Sequence, residues 1–204
     1  MFNNLSVIAP TQRSIALQTH RGSDIKNLIE LPPGEQEHAK NRRLRLKYGQ
    51  QWVVRKPAVG VYNCVGHVWA SRRTTVTHDL ESTVMMIFKD DGYRIIDGYK
   101  EALMVGDLVT YWESVGRHEN FYHVGIISEL KPIVGSNVGN GRLPGNIPWV
   151  ISKWDSTSEE VLHHYKQVPF PYLDHIPLLE RGLHEPECQF WTDRPLLMHG
   201  MTKP

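Results

Sequence analysis

Cysteine is scarce: among 204 residues only Cys64 and Cys188 occur. Two thiols exclude a disulfide scaffold and a four-cysteine zinc site. Long apolar runs are missing too; none nears the roughly 18 residues that a membrane span needs. Neither sign of charge is in excess, since 23 Lys+Arg against 22 Asp+Glu leave a net +1. That balance argues against a dedicated nucleic-acid binder and gives no support to an anionic-membrane binder. The opening residues, Met1 to Ser6, lack a basic segment followed by an apolar one, so no secretory signal is expected. The expected setting is the cytoplasm in which the chain is made, with export by a specialised route left open.

What is present suits one sizeable domain. Hydrophobic residues make up 40% of the chain and charged ones 22%, enough for a packed core and against disorder. Residues 1–50 read as an N-terminal helical extension, 51–172 as the main domain, and 173–204 as a proline-rich tail wrapping it as irregular structure. Asp24 to Leu31 suits a short helix stopped by Pro32-Pro33-Gly34. Glu35 to Tyr48 suits a solvated helix packed through Leu44 and Leu46. Gln51 to Val54 reads as a strand, Cys64 onward as a helix capped by Asn63, and Leu80 to Phe88 as another helix. Ala102–Trp112 reads as a turn at Gly106-Asp107 leading into a strand, and further strands follow at Tyr122–Ser128, Trp149–Trp154 and Val161–Tyr165, with a glycine-rich loop over 135–146. Helices first and an antiparallel sheet second make the expected class α+β.

Cys64 carries the chemical interest. A cysteine in the first turn of a helix sits among backbone N–H groups without partners, which favour thiolate and lower its pKa from about 8.5. A thiolate needs a base, most often a histidine from elsewhere in the chain. His123 stands in a strand that such a helix could pack on. A helix-borne Cys, a strand-borne His and a polar residue on the next strand follow one another in the order of a papain-like site. Cys188, beside Phe190 and Trp191, reads as packing. His67, one turn after Cys64, reads as a site neighbour or a helix-surface residue; Arg72 and Arg73 read as salt-bridge partners or as ligands of an acidic group.

Asn63-Cys64-Val65-Gly66, then Gly106-Asp107-Leu108-Val109, then His123-Val124-Gly125-Ile126 resemble the NlpC-type branch of papain-like cysteine hydrolases. Ser152-Lys153-Trp154 with Pro171-Tyr172 after it is similar to a subset of bacterial relatives, in which glycine stands where Asp155 does here. The resemblance spans roughly 60–172. It implies a nucleophile helix packed on an antiparallel sheet, amide-bond hydrolysis or transfer through an acyl-enzyme on Cys64, and His123 as base and acid. Peptides or peptidoglycan fragments are the implied substrates, and an effector of this kind would have an immunity or inhibitor protein as partner. The third residue, holding the imidazole of His123, falls on the run Trp149–Asp155: Ser152 and Asp155 stand level, with His164 behind. A non-catalytic binding module of the same fold is the alternative. No cofactor is called for, and no metal, since neither His-Glu-x-x-His nor Cys-x-x-Cys occurs.

Overall fold

The computed structural model describes residues 13–98, 101–115, 118–132, 146–168 and 187–195. Its class is α+β: a seven-stranded antiparallel sheet carrying few helices. In chain order the elements are β1 (Asn27–Leu28), α1 (Glu35–Tyr48), β2 (Trp52–Lys56), α2 (Cys64–Trp69), β3 (Thr75–Val76), α3 (Leu80–Asp91), β4 (Arg94–Ile95), β5 (Leu108–Val115), β6 (His118–Pro132), β7 (Asn146–Lys153), β8 (Glu160–His164) and β9 (Glu187–Thr192). The sheet runs β2-β8-β7-β6-β5-β9-β4, and β1 with β3 makes a separate pair.

Two expectations differ from this. The segment around Asp24–Leu31 contributes strand β1, not a helix: Asn27 bonds the backbone of Ile15 through both ends of its amide, and Thr74 donates to it from the β3 side. Such side-chain bonds to backbone compete with a helix ladder. Residues 187–192, read as irregular tail, form β9 between β5 and β4. The run Cys188, Phe190, Trp191 supplies the β-forming residues. Residues 169–186 and most of the expected glycine-rich loop lie outside the described residues.

Helices α1 and α3 are bounded for visible reasons. Glu37 accepts from the Gly34 amide ahead of α1, and Arg45 and Lys47 in its last turn suit the negative end of the helix dipole. Asp79 caps α3 by accepting from the Ser82 amide at 3.2 Å. Gly92 closes α3 with a φ of 77°, a left-handed conformation glycine adopts without strain. Leu46 is 87% exposed while Leu44 is half-buried, so of the two leucines expected to dock α1, Leu44 alone is partly covered. Polar contacts hold the helix: Lys40 to Asp155, Asn41 to the Thr157 carbonyl and Arg45 to Glu159.

One core lies between the helices and the sheet, where Val65, Val84, Ile87 and Phe88 meet Leu108, Trp112, Phe121, Val124 and Trp191. Phe88 stacks on Trp191 at 4.1 Å. A second core gathers Val109, Tyr111, Val150, Trp154, Val161 and Val168. Consecutive strand residues face opposite ways, which is how Leu108 and Val109 serve different cores. A β-bulge sets the phase of β6: Tyr111 pairs with His123 and Trp112 with Phe121, leaving Tyr122 as the extra residue.

Candidate active site

Asn63 builds the start of α2. Its Oδ1 accepts from the Gly66 amide at 3.0 Å and its Nδ2 donates to the Val76 carbonyl at 2.7 Å. Cys64 is thereby the first helical residue. Gly66 is required by close approach: a Cβ there would stand 1.8 Å from the Thr74 carbonyl oxygen.

The Cys64 side chain reaches β6 at Val124, the neighbour of His123, and the residue is only 3% exposed. Burial pushes its thiol up to about 11, against the amides of Val124, Val65 and Cys64 itself, which favour the charged sulfur. This reverses the expected direction. The amides at the helix start favour the charged sulfur as expected, but exclusion of water outweighs them.

His123 is 1% exposed, and its ring packs at 4.8 Å on Trp154 and 5.5 Å on Tyr111. Val124 joins the core that holds Cys64, whereas the imidazole packs on two residues of the second core. Among the described residues neither ring nitrogen has a hydrogen-bond partner. Burial holds the imidazole well below its usual range, with His163 and His67 adding to the effect. The structure therefore brings Cys64 to the strand position beside His123 without joining the two side chains by a hydrogen bond.

The candidate third residues are engaged elsewhere. Ser152 is fully buried and bonds His163 Nε2 at 2.8 Å. His163 Nδ1 meets the His164 carbonyl at 2.8 Å. A carbonyl only accepts, so Nδ1 carries the proton, Nε2 is bare, and the Ser152 hydroxyl donates into it. Burial lowers the pKa of His163 to about 4. Ser152 does share a face with His123: a Cβ on Gly125, two residues from His123, would come within 3.1 Å of the Ser152 Cβ. Asp155 ion-pairs with Lys40 at 2.7 Å and accepts from Thr157. His164 takes the Lys166 amide on Nδ1 and lies against Trp149 and Tyr165.

A polar network lies at the end of α2. Glu160, 2% exposed, accepts from Tyr62 at 2.9 Å and from Arg72 at 2.6 Å. Arg72 also reaches His67 Nε2 at 2.9 Å. A guanidinium cannot accept, so the neutral His67 carries its proton on Nδ1, which has no partner among the described residues. Burial first, then the Arg72 charge, lowers His67 to about 4. Ser71 and Arg72 both take positive φ, 50° and 64°, to turn the chain back toward Glu160. His67 is thus a buried member of this network and not a surface residue. Lys153 is buried as well, donating to the carbonyls of Val59 and Ser158, and burial brings its pKa down to about 8.

Neither Glu160 nor His163 stood out in the sequence. Alternation along β8, apolar Val161 with His163 on one side, was the available signal. Among the described residues no group of three or more His, Cys, Asp or Glu is placed to hold a metal ion, and no helix is long and apolar enough to cross a membrane. No protein-family model, curated protein or solved structure matches this chain.

Proposed function

We propose that this chain is a papain-like cysteine hydrolase or transferase of amide bonds, with Cys64 as nucleophile and His123 as base and acid. The observation that carries the reading is a cysteine buried at the Asn63-capped start of α2 and packed with Val124, the strand neighbour of a buried histidine whose ring nitrogens have no partner among the described residues. In this reading the neutral His123, whose ring rests against the second core, turns to the sulfur when substrate binds and takes the thiol proton as sulfur attacks the carbonyl, then hands it to the leaving amine; water or another amine resolves the acyl-enzyme. The amide of Cys64, and that of Val124 beside it, would carry the charge of the tetrahedral oxygen.

Both groups are neutral in the closed site, because burial raises the thiol and lowers the imidazole. A substrate whose peptide groups replace the apolar surroundings lessens both shifts and lets the proton pass. The resemblance supplies peptides, cell-wall stem peptides among them, as the substrate class. A cytoplasmic peptidase or deamidase and an exported effector paired with an immunity protein both fit.

A second reading, a binding module of the same fold, is favoured by the contacts of the candidate residues: Ser152 bonds His163, Asp155 bonds Lys40, and the His123 ring packs on Trp154 and Tyr111 with no hydrogen bond to either nitrogen among the described residues. Intact-protein mass spectrometry after incubation with muropeptides and with a pool of peptide amides separates the two. A hydrolase yields an acyl adduct on Cys64 that is absent in Cys64→Ala and slow to form in His123→Ala. Neither adduct nor cleaved product in the unaltered chain defeats the enzymatic reading.

A further inference from the structure

We propose that β2 and the outward side of α1 form a docking edge for an acidic, extended segment of a partner protein, which adds to the sheet as a further strand. This surface is independent of the Cys64 site and of the activity proposed for it.

β2 stands at one end of the seven-stranded sheet and pairs with β8 alone. Among the described residues, no backbone hydrogen bond reaches residues 53–56 from the other side of β2. A strand so placed offers a row of unused N–H and C=O groups to an incoming strand. Val53 is 52% exposed and Val54 40%. Adjacent strand residues face opposite ways, so neither face of β2 at this point is covered.

Asp155, Glu159 and Glu160 near this edge are each ion-paired, and the charge left over has one sign. From Arg42 to Lys56 the sequence holds Arg42, Arg43, Arg45, Lys47, Arg55 and Lys56 and no acidic residue. Arg45 is paired with Glu159, whereas Arg42, Arg43, Arg55 and Lys56 take part in no ion pair among the described residues. All four are exposed. A strip of free cations against a chain that is nearly neutral as a whole points to a local acidic partner. The partner is a polypeptide and not a nucleic acid. An unused strand edge and exposed Val53, Val54 and Leu46 suit peptide backbone and apolar side chains, which phosphates and sugars do not match. The bulge between Val54 and Lys56 ends regular pairing, which confines the added strand to residues 53–55.

The test uses the full chain with three fluorescent probes: a short peptide alternating glutamate and valine, its lysine–valine counterpart, and a single-stranded oligonucleotide. Anisotropy titrations at low and high salt are read together with amide hydrogen exchange. The expected result is binding of the Glu–Val peptide alone, weakened by salt, with exchange slowed at residues 53–55. Arg42→Glu with Arg43→Glu, and separately Arg55→Glu, should each weaken it about tenfold, or 1.4 kcal/mol. These side chains are exposed, and circular dichroism checks the fold; should the double variant unfold, Arg55→Glu decides. Absence of binding, tighter binding of the oligonucleotide or the Lys–Val peptide, or binding that leaves β2 exchange unchanged overturns the proposal. Slowed exchange at β2 from self-association without any peptide overturns it equally.

Discussion

At Cys64 two physical effects oppose each other, and the outcome decides how the thiol behaves. Amide donors favour thiolate, and burial favours thiol by more, bringing it to about 11. The consequence is a slow nucleophile at rest. Iodoacetamide labelling of folded protein should rise about tenfold for each pH unit between 7 and 10, because the thiolate fraction does. A rate already level at pH 8 would show that the sulfur is not desolvated as described. Cys64→Ala leaves the fold standing and removes the labelling at this position, with Cys188 as internal control. The pair Ser152–His163 gives a second residue-level expectation. Ser152→Ala leaves the bare Nε2 of His163 buried without its donor, at a cost of about 1–3 kcal/mol measured by urea unfolding. Ser152→Thr keeps the hydroxyl and should retain most of that stability.

At the scale of elements, the motif glycines act through space. Gly125 lies where a Cβ would stand 2.3 Å from Val150 Cγ1 on β7. Gly125→Ala therefore overpacks the β6–β7 face, and about 1–3 kcal/mol of stability should go. Trimming the opposing side chain in Gly125→Ala with Val150→Ala should cost less than the sum of the two single changes; strict additivity in denaturant unfolding would contradict the contact. Gly66→Ala meets a backbone carbonyl instead, which cannot be trimmed away.

The same elements show what could be read from the chain. Asn63 as a cap, the helix Glu35–Tyr48, the part of α3 from Leu80 to Phe88, and the strands around His123, Ser152 and Val161 were legible because capping and periodicity are local; α3 runs on to Asp91, through residues that read as a turn. The side-chain partners of His123, Ser152 and Asp155 were not. Asp155 meets Lys40, which is 115 residues away, and Ser152 meets a histidine whose tautomer depends on a carbonyl. Local pattern does not encode which distant donor wins. The bulge at Tyr122, which fixes which way His123 points, likewise leaves no mark in composition.

For the whole molecule, three buried histidines make stability depend on pH. His67 and His163 have folded values near 4, and His123 lies well below its usual range. Above about 6.5 folded and unfolded chains both carry these rings neutral, and the full stability is present. Between about 6.5 and 4 the unfolded chain binds protons that the folded chain refuses, so stability falls as pH falls. The slope is on the order of 1.4 kcal/mol per pH unit for each such histidine. Urea midpoints measured across that window check it: a flat profile would mean that these rings are solvated. Replacing His163 by glutamine should lessen the slope even where it lowers stability at pH 7.

The position of β9 carries a last consequence, and it concerns synthesis. β5 and β4 are not neighbours; the strand between them is residues 187–192. While a ribosome is still making the middle of the chain, β5 has β6 on one side and nothing on the other. Trp112, Phe88 and the floor beneath α3 then lack the Trp191 that packs against them. The nascent domain waits, with an open strand and an uncovered aromatic cluster, for a segment translated more than 70 residues after β5. A chaperone that recognises apolar extended chain has its opportunity in that interval.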